Sequence, residues 1–177
     1  MPTDKRIPDK SSGYHEAGHA VAAILLGFGV KQVTLKMCTT DPPVLKLRER
    51  LALPNPEKAR HEAILGLAGA IAQDMFRGEV DPTLRTRNWC DRLLAGGRYP
   101  TEEDWKHEDF GRVMVRLRSV FDSDDALTGT VAHEAIDEAL KLLTSNWTAV
   151  VTIATALWSG RILGGADVKS ALHGPEF

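Results

Sequence analysis

The chain has 177 residues, 43% of them hydrophobic and 26% charged, with a formal net charge of -2. These are the values of a globular chain long enough to bury one core, and the near-neutral balance, without a basic stripe, excludes nucleic acid as the main partner. No G-x-x-x-x-G-K-S/T segment occurs, which excludes a P-loop ATPase within this chain.

Met1 to Lys10 is charged and has no apolar stretch, so it is expected to be a flexible N-terminus and not a secretory signal. Ser11 and Ser12 are the expected caps of a first helix, and Gly27 and Gly29 follow its apolar run. Tyr14, Ala17, Val21, Ile24 and Leu25 form its inward stripe. On an adjacent face stands His15-Glu16-Ala17-Gly18-His19, an H-E-x-x-H arrangement. Residues four apart on a helix lie one turn apart on the same side, so both imidazoles can reach one metal ion. Zinc accepts neutral imidazole nitrogens at about 2.0–2.1 Å, and two ligands from one turn leave room for a third and a water. Glu16 stands beside the first of them, where its carboxylate can take that water's proton. Two other His-Glu pairs, His61-Glu62 and His133-Glu134, have Leu65 and Asp137 at the i+4 position and are read as ordinary solvated helix positions.

Gln32 to Met37 alternates polar and apolar residues and predicts a half-buried strand. Asp41-Pro42-Pro43 predicts a turn, and Val44 to Leu47 a returning strand. An exposed strand edge beside a metal site can pair with an extended peptide, or the ribbon can simply cover the core. Asn55-Pro56-Glu57 opens a second helix, with Asn as cap and Pro at the first helical position. It runs to Gly78, and its small residues (Gly66, Ala68, Gly69, Ala70, Ala72) would let it pack closely against the first helix. Residues 81–100 carry Asp81-Pro82, Gly96-Gly97 and Tyr99-Pro100 and are expected to be an irregular inserted loop. Thr101-Glu102-Glu103-Asp104 resembles a capping box, opening a helix whose apolar face is Trp105, Phe110, Val113, Met114, Leu117 and Phe121. Further helices are expected around Val131 to Leu143, Trp147 to Ser159 and after Gly164-Gly165. The longest apolar runs, Val21 to Val30 and Thr148 to Trp158, are about ten residues each, too short to cross a bilayer. Cys38 and Cys90 have no C-x-x-C spacing, which points to a reduced, cytoplasmic protein. The expected architecture is one domain over residues 1–177, mainly α with a small β ribbon (α+β).

Several of these segments resemble the peptidase domain of the FtsH-type ATP-dependent zinc metalloproteases. His15-Glu16-Ala17-Gly18-His19-Ala20-Val21 matches that family's zinc-helix signature. Gln32 to Leu35 looks like its following strand, and Leu67 to Val80 is similar to its helix ending in Gly-Glu-Val. Glu108-Asp109-Phe110 falls where the family has Asn-Asp-Leu, and Leu142 to Asn146 and Leu163 to Val168 are similar to its C-terminal helices. The resemblance covers roughly residues 11–172 and implies a zincin-like helical metallopeptidase fold. It implies zinc held by His15, His19 and Asp109, with Glu16 as general base. The chain departs from the family at Ala68 to Asp74, where an Arg and two Glu are replaced, and between Val80 and Asp109, where about twenty residues are added. The metzincin pattern fails, because Ala22 and Leu25 stand where Gly and His are needed.

The residues themselves offer Asp104, His107, Glu108 and Asp109 as third ligands. On a helix His107 lies about 200° from Asp109, whereas Asp109 sits about 100° from Phe110, at the edge of the buried stripe. The expected function is a zinc-dependent metalloendopeptidase acting on unstructured proteins or peptides without an ATPase of its own. The alternative is a non-catalytic metal- or peptide-binding protein on the same scaffold. No membrane segment is expected in the chain, and a homo-oligomer or a separate ATPase partner stays open.

Overall fold

The computed structural model describes residues 9–41, 55–96, 109–121 and 124–174. Asp9 opens the first helix, α1 (Lys10–Leu25), its carboxylate accepting from the Ser11 backbone N–H. The expected caps, Ser11 and Ser12, lie inside the helix. An aspartate satisfies an orphan amide as a serine would, and its charge also suits the positive end of the helix dipole. Ser11 is buried instead, its hydroxyl accepting from Gln73 Nε2 at 2.9 Å. The helix ends before Gly27, whose φ of 82° needs a residue without a Cβ. Its buried face takes in Ala17, Gly18 and all of Ala20 to Ala23, while Leu25, expected on the inward stripe, is exposed.

A tight hairpin follows, with β1 (Gly29–Thr34) antiparallel to β2 (Met37–Asp41) and Val33 opposite Cys38. The expected strand over 32–37 is therefore interrupted. The Thr34 hydroxyl accepts from the backbone N–H groups of Lys36 and Met37, at 3.2 Å each, and closes a turn that the polar/apolar pattern does not register. Residues 42–47, which carry the rest of the expected turn and returning strand, lie outside the described residues.

Asn55 and Gly78 act as expected. The Asn55 side chain accepts from Lys58 N–H at 3.0 Å to open α2 (Pro56–Arg77), and Gly78 ends it in the left-handed region. The small residues of α2 receive α1 so closely that a Cβ on Gly18 would stand 2.6 Å from the Ala68 carbonyl oxygen and 2.7 Å from Ala72 Cβ. The described part of the expected loop, residues 81–96, is not irregular. It contains α3 (Leu84–Ala95), in which Thr86 and Cys90 are buried one turn apart. Pro82 and Gly96 stand at the ends of the helix, where they break nothing. Arg85 Nε donates to the buried Asp74 carboxylate at 2.8 Å and ties α3 to α2.

The next helix, α4 (Asp109–Val120), buries Phe110, Val113, Met114 and Leu117. Its expected capping box and Trp105 lie outside the described residues. Three helices complete the chain: α5 (Asp125–Ser145), opened by the Asp124 carboxylate, then α6 (Trp147–Trp158) and α7 (Gly165–His173). Between the last two, Leu163 pairs with Val33, exchanging N–H to O bonds of 2.8 and 3.0 Å on the side of β1 away from β2. The described residues are thus mainly helical with one two-stranded sheet, and buried side chains from every helix join one core. No single helix among them is long and apolar enough to cross a membrane.

Gly18→Ala tests the α1–α2 contact. Alanine would gain up to about 1 kcal/mol in helix propensity. The close approach opposes it with packed backbone and a Cβ, and overpacking of that kind costs about 1–3 kcal/mol. Thermal unfolding followed by circular dichroism should therefore show a lowered midpoint for Gly18→Ala.

Candidate metal centre

The i, i+4 spacing on α1 brings His15 Nε2 and His19 Nε2 to 3.1 Å of each other, their rings nearly perpendicular at 85°. α2 supplies the seat. The His19 imidazole lies against Gly69, where a Cβ would come within 2.4 Å of Nε2. His19 Nδ1 is 2.8 Å from the Leu65 carbonyl oxygen, which can only accept, so Nδ1 carries the proton and donates it there. That bond fixes the ring and turns Nε2 towards His15, the second-sphere arrangement of a ligating histidine.

α4 supplies the third group. Asp109 is its first residue, and Asp109 Oδ2 stands 3.1 Å from His15 Nε2 and 3.2 Å from His19 Nε2. Three ligand atoms at 2.0–2.1 Å from one tetrahedral ion are about 3.3–3.4 Å apart. The observed triangle is within a few tenths of an ångström of that, and its donors, two imidazole nitrogens and a carboxylate oxygen, are a set that zinc accepts. All three side chains are partly exposed, so the cluster opens to solvent on one side.

Without an ion, the charges hold one another. Burial disfavours the protonated form of His19, but the Asp109 carboxylate outweighs it and lifts the imidazole to about 9. Burial likewise works against the Asp109 carboxylate, yet the facing His19 and His15 hold it well below the usual carboxylate range. The three side chains form a cluster that could hold a metal ion.

Glu16 lies on α1 beside this triangle. Burial raises its carboxyl above the ordinary value, opposed by His19 and His15 and by a hydrogen bond from the Cys38 backbone N–H of β2. A carboxylate with a raised pKa is a better proton acceptor near neutrality. The Cys38 thiol is pushed up to about 12 by burial and then by the Glu16 charge, and burial takes Cys90 to about 12 as well. Burial thus disfavours the thiolate form of both cysteines.

Of the residues singled out in the sequence, His15, Glu16, His19 and Asp109 come together, while Asp104, His107 and Glu108 lie outside the described residues. The two comparison pairs are not simply solvated. Glu62 is only 2% exposed and accepts from Arg116 Nε at 2.7 Å. His133 is held between Arg87 and Asp91 of α3, at 2.7 Å from each. The Leu65 carbonyl and the Cys38 amide escape sequence reading because they are backbone groups, whereas Gly69 was visible in the small-residue run without its purpose. No family model and no curated protein matches the chain.

Asp109→Ala removes the donor that α4 brings, so competition with a zinc indicator should show at least a tenfold loss of affinity. pH provides a second check. The raised His19 pKa stabilises the metal-free fold fully below about 6.5, and that contribution is lost as pH rises through about 9. The depressed Asp109 pKa adds stability that is present above its ordinary value of 3.8 and is lost as pH falls further. Between pH 6.5 and 9 the metal-free unfolding midpoint should therefore fall, while the shift given by chelator-buffered zinc should grow, because the ion no longer displaces a proton. A zinc-induced shift that shrinks over this range would contradict His19 as a ligand.

Proposed function

We propose that this chain is a zinc-dependent metalloendopeptidase that cleaves peptide bonds in unstructured segments. The observation that carries this is the placement of Glu16 beside three donor atoms, His15 Nε2, His19 Nε2 and Asp109 Oδ2, that lie 3.1–3.2 Å from one another. The resemblance of residues 15–21 to the zinc helix of the FtsH-type peptidases supports the same assignment.

Zinc, when bound, supplies Lewis acidity, polarising a carbonyl and acidifying a water. His15, His19 and Asp109 are the side chains that would hold the ion. Glu16 takes a proton from the attacking water at its carboxylate and delivers it to the leaving amine nitrogen. The Cys38 amide steadies that carboxylate from β2, and burial around it keeps the proton transfer away from bulk solvent. His19 is kept in one tautomer by the Leu65 carbonyl.

The substrate class follows from access. An extended backbone is the form that can approach a site beside a small β ribbon and bind by main-chain hydrogen bonding. A folded chain has no such strand to offer, and this chain has no P-loop with which to unfold one.

A denatured casein-like protein should be cleaved by the purified chain, cleavage should stop on chelation, and ATP should leave the rate unchanged. Glu16→Gln should keep a full equivalent of zinc and lose at least a hundredfold in kcat, the usual worth of a positioned base. If the wild type holds zinc yet leaves a broad library of unstructured peptides intact, the protein is a metal- or peptide-binding module and not an enzyme.

A further inference from the structure

Two of the three proposed ligands come from one turn of α1, but Asp109 must be delivered by a separate helix. α4 reaches it across α2, and three points of contact between those two helices fall in step. Arg116 Nε donates to Glu62 Oε2 at 2.7 Å. Gly66, four residues beyond Glu62, faces Val113, where a Cβ would come within 2.5 Å of Val113 Cγ2. Gly69, seven residues beyond Glu62, seats the His19 ring whose Nε2 is 3.2 Å from Asp109 Oδ2. Seven residues is also the distance back from Arg116 to Asp109 on α4. On each helix this spans about 10.5 Å and falls about 20° short of two full turns, so both ends lie on one face.

We infer that the Glu62–Arg116 ion pair is a register lock, two helical turns from the metal site, that sets where α4 presents Asp109 to His15 and His19. Glu62 and Arg116 are positioning residues: they touch neither metal nor substrate. This inference rests on the metal reading of the site only for its effect on zinc.

Apolar packing of Phe110, Val113, Met114 and Leu117 holds α4 against the core but is non-directional, so by itself it tolerates small shifts along the helix axis. An arginine–carboxylate hydrogen bond does not, because it is short and directional. Burial sharpens the constraint. Glu62 is 2% exposed, and a slip of α4 would leave its buried carboxylate with only Lys58, 3.9 Å away on the same helix and half-exposed, as a cation partner. A few tenths of an ångström at Asp109 matter because the donor triangle already matches one ion.

The test is zinc affinity by indicator competition, at a temperature where circular dichroism shows every variant folded. Glu62→Gln keeps the shape and removes the charge, and should weaken zinc at least tenfold. Arg116→Met should do the same, while Arg116→Lys, which keeps a cation, should stay within threefold of wild type. Ile153→Val, a core change on α6, which packs against neither α2 nor α4, serves as the stability control and should leave the affinity unchanged. Equal losses in Glu62→Gln and Ile153→Val, or none in Glu62→Gln, would overturn the lock. A second arm does not need the metal. Spin labels at Ser119→Cys on α4 and at Glu79→Cys, just past the end of α2 and tied to it by the Glu79 N–H to Asp74 carbonyl bond of 3.2 Å, with Cys38→Ser, report the α2–α4 register in metal-free protein. Glu62→Gln should shift or broaden that distance distribution, and an unchanged distribution overturns the lock. A wild type that takes up no zinc refutes the metal reading, and the labelled pair still decides the inference.

Discussion

α1 and α2 cross at Gly18, where the absence of a single Cβ allows one helix to rest on the carbonyl of the other. The rest of the structure depends on that closeness. It lets the Leu65 carbonyl meet a side chain of α1, and it places the His19 ring on Gly69 with no side chain between them. A wider crossing would leave the His19 imidazole free to rotate, and a side chain that is free must be ordered before it can bind anything. The alanines that line both helices have the same effect: they bury backbone against backbone and cost no side-chain entropy.

Charge is arranged around this crossing in buried pairs. Glu62 meets Arg116, Asp74 meets Arg85, and Arg118 meets Asp125, with one partner of each pair nearly removed from water. Such pairs add little net stability, since desolvation offsets much of the attraction, but losing one partner is expensive. They therefore act as constraints on how the helices sit. The Asp109 carboxylate differs, because its partners are histidines, which can exchange a proton for a metal ion.

Much of this was legible in the sequence. Asn55, Pro56 and Gly78 mark the ends of α2 through backbone chemistry that is local, and local rules carry over directly. The spacing of His15 and His19 is equally local, so their meeting was fixed once α1 was a helix. Asp109 is not local. It lies beyond a stretch whose length and punctuation suggested a loop, yet α3 occupies most of it, because its prolines and glycines fall outside the helix. The hairpin was misplaced for a related reason. A Thr34 hydroxyl bonded to two amides ends a strand without a glycine or proline to announce it. Glu62 looked like a surface acid, and only the approach of Arg116 from a distant helix explains its burial.

The pairing of Val33 with Leu163 bears on the order of assembly. A two-stranded ribbon alone is marginal in water, and here its inner edge is completed by a segment made about 130 residues later. Closing so long a loop carries an entropic cost that must be met before the contact contributes anything. Glu16 takes its hydrogen bond from the strand that this pairing steadies. The two histidines can thus come together early, on a helix that needs only its neighbours. The carboxylate beside them is held in place only after Leu163 has been synthesised and docked. During synthesis the two imidazoles of α1 can accordingly be set in place before the carboxylate beside them is.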